Sequence, residues 1–426
     1  EDSTLGGVFR PTSFSLTQSY TWQVRDWNSV TSSLSLSARK TRFEELFRQR
    51  GNNNSDVIMI RSLTRFSPQH RAVEGDVFYE FSNHRSARLE RVYVRVPKGE
   101  GNYRYRGDLN GNAVADDEEF ELTRYDGDFI VLLLPGEVLH PVADVKASIR
   151  IRLNPSRIVT PDSFGGSLLA PLSSETFLRV DERSADPRTQ NIYLLKFSAF
   201  LHPQNTISGS QLLTQDIHVF ENSPEFSSRL RFSQRRALVQ LISSLERSYA
   251  RERSLRLRTQ LITELANQTD YSNRVDRVAG SVPGPRDRDL VIHSVNSDFA
   301  YRPFREWEVG MRLLFEQTAD YANNERTASE VNEQALRVVY AFPGKGQLRT
   351  EITREEVILS EKSSDPQRFY PYEFTEGRAF GKNYLWTVNV DYRLTQNIQF
   401  TLHYSGRSES GRNPIHLARA EARAFF

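Results

Sequence analysis

The chain closes on His416-Leu417-Ala418-Arg419-Ala420-Glu421-Ala422-Arg423-Ala424-Phe425-Phe426. Successive side chains of an extended strand point to opposite faces, so Ala418, Ala420, Ala422, Ala424 and Phe426 fall on one side and Arg419, Glu421 and Arg423 on the other. One face is small and apolar, the other ionic. A soluble antiparallel sheet also alternates, yet it seldom ends its chain on an aromatic residue with charges lined along the reverse face.

The same two-faced pattern recurs upstream. Trp386, Val388, Val390, Tyr392 and Leu394 alternate with Asn389, Asp391 and Arg393, and Ile398, Phe400, Leu402 and Tyr404 alternate with Gln399, Thr401 and His403. Comparable runs begin at Val30, Val145, Leu255, Trp307 and Leu336, and each predicts a strand. Further strands are expected at Val57 to Phe66, Val73 to Phe81, Arg88 to Val96, Asp128 to Leu134, Ile192 to Leu201 and Ile207 to Phe220. The stretch from Pro155 to Pro187 reads as a long loop in preference to a domain seam. RRALVQLISSLERSYARERS, Arg235 to Ser254, reads as helical, because Leu238, Leu241 and Leu245 sit at helical spacing.

Connections alternate too. YRPFRE (Tyr301 to Glu306), FPGKGQ (Phe342 to Gln347) and LTQNI (Leu394 to Ile398) are tight, whereas Gln317 to Gln334, Leu359 to Tyr384 and Ser405 to His416 are long and polar. Short turns on one rim and long loops on the other match a membrane barrel. Its polar lumen gives the inward charges partners, and rings such as Trp307, Tyr340, Phe342, Trp386 and Tyr392 gather near strand ends as an interfacial girdle.

Composition permits this reading. The 426 residues carry 56 Lys and Arg against 54 Asp and Glu, a net charge of +2, so no global field recruits nucleic acid. No run approaches the roughly 18 apolar residues of a helical span, and the mean hydropathy is −0.57. Barrel strands escape that test, because half their residues face a polar interior. Cysteine is absent, which removes disulfides and thiolate metal sites.

One local motif carries chemistry. Between Pro97 and Leu122 the texture turns rich in Gly, Asn and Asp. Asp108 to Glu119 has the ligand spacing of a twelve-residue calcium loop, with oxygens from Asp108, Asn110, Asn112, the Val114 carbonyl, Asp116 and Glu119. Ala113 stands where such loops hold glycine, which weakens the fit. The competing reading is an Asx turn with solvated acids. Asp216 and His218 share a strand face, more simply a lumen hydrogen-bond pair than a hydrolase dyad, and no nucleophile and base sit at a diagnostic spacing. The arginines of Arg247 to Arg258 are interrupted by Glu246 and Glu252, so an ion-pair ladder outranks lipopolysaccharide or nucleic-acid binding.

The terminal strand with its final Phe resembles the closing strand of bacterial outer-membrane β-barrels. Two segments, DVFYEFSNHRSARLERVYVRVPKGEGNYRYRGDLNGNAVADDEEFEL (Asp76 to Leu122) and GKNYLWTVNVDYRLTQNIQFTLHYSGRSESGRNPIHLARAEARAFF (Gly381 to Phe426), resemble the C-terminal barrel region of large, mostly uncharacterised outer-membrane and surface proteins of Bacteroidota-type bacteria. That resemblance implies a location and a fold, and that the chain is part of a longer polypeptide; it implies no activity.

The expectation is therefore an all-β, antiparallel transmembrane barrel of fourteen to eighteen strands: first strands in 1–96, an inserted lobe with a possible calcium site in 97–127, and the remaining strands in 128–426. Its expected partners are outer-membrane lipid and other envelope or surface proteins. Its expected work is anchoring, scaffolding or passive solute passage. A soluble β-sandwich adhesion protein with a calcium-braced loop is the alternative, and an integral-membrane hydrolase the third reading.

Overall fold

The computed structural model describes every residue except 1, 6–7, 49–53, 110, 160–163, 243, 282–286, 323–325, 363–369 and 426. A short pair, β1 (Asp2–Leu5) and β2 (Val8–Pro11), precedes four long strands: β3 (Ser13–Trp27), β4 (Val30–Phe43), β5 (Ser55–Phe66) and β6 (Val73–Arg95). A lobe follows with β7 (Gly101–Tyr105) and β8 (Phe120–Gly127). The wall resumes with β9 (Phe129–Leu153), β10 (Leu172–Ser184), β11 (Thr206–Val219), β12 (Phe226–Gln240), β13 (Leu245–Ile262), β14 (Leu265–Gly280) and β15 (Arg288–Phe304). It ends with β16 (Trp307–Asp320), β17 (Thr327–Phe342), β18 (Gly346–Glu361), β19 (Gly381–Arg393), β20 (Ile398–Ser408) and β21 (Ile415–Ala424).

Nineteen strands form one antiparallel sheet rolled into a barrel, slightly more than expected because the lobe adds β7 and β8. Wall strands pair with their neighbours in sequence, except that β6 pairs β9 directly and leaves the lobe standing above the wall. At the seam, β3 and β21 run in the same direction, toward the short-turn rim. Among the described residues no ladder joins them, and nearly every residue of both is exposed, so the ring is not zipped there.

Register fixes the two faces. Val309, Val338, Thr350, Val388, Tyr404 and Ala418 form one row across β16 to β21 by direct pairing. The terminal alanines face Tyr404, Leu402, Phe400 and Ile398, as the alternation requires. On the outside Met311, Leu336 and Ile352 are 46%, 50% and 54% exposed, while on the inside Glu333 and Glu355 are 5% and 2% exposed. A water-soluble sandwich has the opposite order. The apolar face points away from the protein and the charges point inward, so the chain is a transmembrane β-barrel. In β16 the outer apolar band runs from Trp307 to Phe315, close to the roughly 9–11 residues a tilted strand needs to cross the hydrocarbon. Trp307, Tyr340, Phe342 and Tyr392 edge it with ring centroids 4.8, 4.9 and 5.2 Å apart in succession.

Three expectations need correction. Arg235 to Ser254 is not helical: it holds the end of β12 and the start of β13. Its leucines satisfy contacts that a local pattern does not contain, Leu241 bridging Leu89 of β6 and Leu238 lying opposite Gly209 of β11. Ile192 to Leu201 is not a strand either. It makes a helical turn (Gln190–Tyr193) and a 3-10 turn (Phe197–Ala199), and lays Ile192 and Phe200 over Phe81, Val145 and Val180 on the outer wall. The proposed loop from Pro155 to Pro187 contains β10, and the paired segments around Val73, Arg88, Asp128 and Val145 merge into two strands of 23 and 25 residues, β6 and β9.

Candidate functional site

The lumen is lined by ion pairs and narrowed by the chain itself. On neighbouring strands Arg337 Nη2 lies 3.2 Å from Glu308 and Arg231 Nη2 2.7 Å from Asp216. The Asp216 carboxylate thus accepts from Arg231, and His218 does not take it.

Above these pairs, residues 370–380, part of the connection from β18 to β19, turn into the barrel. Phe374 is fully buried against Leu290 and Ile292, two apolar residues on the inner face of β15. Its ring stacks on Tyr370 at 5.1 Å, and its carbonyl accepts from the Ser329 hydroxyl at 3.1 Å. Arg378 then reaches Glu376 at 3.0 Å, Glu333 at 3.4 Å and Glu355 at 3.7 Å. Burial alone lowers this guanidinium, but Glu376, Glu355 and Glu333 outweigh it, so its affinity for a proton is raised. Arg288 ties Glu373 of the same segment to Asp276 of β14, at 3.1 and 3.0 Å.

The lobe lies across the same mouth. On one side Arg91 of β6 binds Asp117 at 2.8 Å and Glu246 of β13 at 3.1 Å. On the other, Arg124 of β8 binds Glu355 of β18 at 3.2 Å, and Asp126 binds Arg407 of β20 at 2.7 Å. The Arg407 guanidinium also rests over the Tyr125 ring, 4.3 Å from its centroid. β6 and β18 stand far apart round the ring, so a hairpin touching both spans the opening. A cleft of about 440 Å³ remains between lobe and wall, lined among others by Arg91, Tyr103, Glu246, Arg288 and Glu373. Charged residues of both signs share its lining with Tyr103, Phe120, Leu122, Val278 and Tyr372, so it is more ionic than the predominantly apolar pockets that hold drug-sized organic ligands.

The candidate calcium loop joins β7 to β8 of the lobe. Asp108 Oδ1 accepts from the Gly111 and Asn112 backbone N–H groups at 2.6 and 3.2 Å, and Oδ2 accepts from Ala113 at 2.8 Å. These N–H groups, Ala113 first, hold the Asp108 carboxyl below its ordinary value. Glu119 accepts from Leu109 and Asp116 N–H, Asn112 Nδ2 donates to Asp116, and the Val114 N–H donates to Asn112 Oδ1. Ala113 adopts φ +58°, the left-handed conformation for which such loops use glycine. Asn110 lies outside the described residues. The loop thus has the turn of a cation site while its oxygens accept backbone hydrogen bonds. Among the described residues no cluster of three His, Cys, Asp or Glu side chains is arranged to hold a metal.

The plug was beyond sequence reasoning. Residues 359–384 read only as a long polar connection. The one local signal is the aromatic run Phe369, Tyr370, Tyr372 and Phe374 inside it, and nothing nearby names Glu333 or Glu355 as the partners of Arg378.

No family model matches the sequence, and no curated protein matches it. Among solved structures the chain is similar to the open form of the ferric-catecholate import receptor Fiu of E. coli K12, at 8% identity and TM-score 0.39, over 93% of this chain and 64% of that one. It is also similar to the FrpB iron transporter of Neisseria meningitidis at 9% identity and TM-score 0.37, covering 96% and 72%. A third is OccK11 of Pseudomonas aeruginosa at 11% identity and TM-score 0.33, covering 97% and 96%. The chain spans under two thirds of the length of the Fiu receptor. Likenesses this distant say nothing of cargo.

Proposed function

We propose that this chain is an outer-membrane anchor: a barrel held shut by its own segments, presenting its long-loop rim and lobe at the cell surface as a scaffold for other envelope or surface proteins. The observation that carries this reading is the seating of Phe374 and Arg378 inside the lumen. Phe374 is fully buried between inner-face residues, and Arg378 faces three carboxylates. Withdrawing the segment would return the buried Phe374 ring to water and give up the contacts of Arg378 with Glu333 and Glu355, so the resting state favours closure over passive solute passage. A calcium ion in the loop from Asp108 to Glu119 belongs to the same reading as a brace for the lobe, with no part in chemistry.

Conductance in planar bilayers tests the proposal. The wild-type barrel is expected to be nearly silent, and Arg378→Ala combined with Phe374→Ala to conduct steadily. A wild-type barrel with a stable open conductance would replace the anchor reading with a channel. Calcium titration of the wild type and of Asp108→Ala, followed by exchange protection of 108–119, tests the brace; protection that ignores the ion removes it.

A further inference from the structure

The arginines of β12 and β13 form a feature that the closed lumen does not use. Pairing of Gln234 with Arg251 and of Arg236 with Tyr249 places Arg236, Arg247, Arg251 and Arg253 on one face of the two strands. That face is the outer one, because Glu252, Arg229 and Arg231 on the reverse line the lumen and Leu230, Leu255 and Leu257 continue the apolar band. Glu246 and Glu252, which interrupt the arginines in sequence, point the other way, and Glu246 is bound to Arg91 inside the mouth.

Alternation thus separates the acids from the arginines. The outer faces of β11 to β14 carry no carboxylate among the described residues. Asp289, on the outer face of β15, is held by Arg277 at 2.6 Å. None of the four guanidiniums has an ion-pair partner among the described contacts, and Arg251 Nε is buried without an acceptor. Diagonal neighbours on adjacent strands stand about 7–8 Å apart, so Arg236 faces both Arg247 and Arg251. The Arg236 guanidinium lies over the Tyr249 ring, 6.0 Å from its centroid, and with no carboxylate on this face the cluster repels itself.

Its height supplies the missing charge. Arg253 is one outward step beyond Leu255, about 5 Å along the axis of a barrel whose strands tilt by about 40°, and Arg251 one step further. Both therefore sit where the hydrocarbon gives way to headgroups on the long-loop side. We propose that this face docks the phosphate groups of a lipid headgroup in the leaflet at the long-loop rim. Arg251 and Arg253 grip nearest the acyl chains, Arg236 and Arg247 reach further out, and Asn273, opposite Arg253, offers a neutral hydrogen bond. Guanidinium forks suit phosphate oxygens. The inference rests on the position of the membrane band and not on the closed lumen, so a conducting barrel would leave it standing.

Native mass spectrometry of the full chain in non-ionic detergent tests it, with three probes: lipid A carrying both phosphates, the same lipid with its phosphates removed, and inorganic phosphate. The phosphorylated lipid should remain bound and the dephosphorylated one should not. Arg251→Gln with Arg253→Gln should lower retention by at least about tenfold, since each substitution removes a charge-assisted hydrogen bond to phosphate. Arg354→Gln, on the outer face but paired with Glu356 at 2.9 Å, should leave it unchanged. Heat-shifted gel mobility confirms that each variant is folded. Equal retention of both lipids by the wild type overturns the proposal whether or not the variants fold, as does undiminished retention in the folded double variant. Displacement of the lipid by millimolar inorganic phosphate would show a free-anion site instead.

Discussion

In the short-turn half of the barrel the outer face is apolar row after row: Met311 pairs with Leu336, Leu336 with Ile352, Ile352 with Trp386. In the long-loop half the same side of the same strands carries Gln317, Asn332, Arg354 and Lys382, and the lobe and residues 370–380 occupy part of the inside. One alternation runs through both halves, yet the first is stabilised by its solvent and the second by contacts within the chain. Lipid asks only for apolar side chains at every second position. The mouth needs particular partners, such as Arg378 with Glu333 and Glu355, that come from distant segments.

Mutations should respect that division. The largest effect is expected at Phe374→Ala, where loss of a fully buried ring costs the plug about 3–5 kcal/mol of seating. Hydrogen exchange should loosen across 370–380 while the strands stay protected. If protection is unchanged, the segment is not held by that ring. Next in size, Val388→Arg inside the band should lower the unfolding free energy in lipid vesicles by about 2–4 kcal/mol, whereas Gln317→Arg in the upper half should cost about 0–1 kcal/mol. Equal penalties would erase the boundary between the halves. The smallest effect concerns pH at the lobe. Because backbone N–H groups depress the Asp108 carboxyl in the fold, its contribution to the loop is complete above the unfolded carboxyl value and disappears as pH falls through the lower, folded value. Asp108→Asn should flatten that acid-side loss of exchange protection in 108–119. An unaltered profile would assign the loss to another group.

The band was legible and the mouth was not, for the same physical reason. Trp386, Val388, Val390 and Tyr392 announce a strand and its outer face through period two alone, and the ladder with Tyr404, Leu402 and Phe400 follows from a short turn. The turn and loop lengths gave the two rims. By contrast, Leu238, Leu241 and Leu245 mimic a helical face. Leu238 lies opposite Gly209, where an added Cβ would come within 2.8 Å of Leu201, a residue of the segment folded over the wall. Ile192 and Phe200 look like strand residues for a similar reason, being apolar to cover Phe81 and Val145. The calcium spacing from Asp108 to Glu119 was visible as a motif, while the use of Asp108 and Glu119 as acceptors for backbone N–H groups was not. The charge alternation of Arg247, Arg251 and Arg253 with Glu246 and Glu252 became meaningful once register assigned each sign to a face.

The membrane assignment depends on the direction in which the apolar face looks, and β16 reports on it most directly. Nitroxide labels placed singly from Trp307 to Gln317, in lipid bilayers, are read by their accessibility to oxygen and to a water-soluble nickel chelate. The account predicts a period of two, with Val309, Met311, Leu313 and Phe315 favouring oxygen and Glu308, Arg312 and Glu316 favouring the chelate. Free access of the chelate to Met311 and Leu313, or no alternation at all, would contradict it.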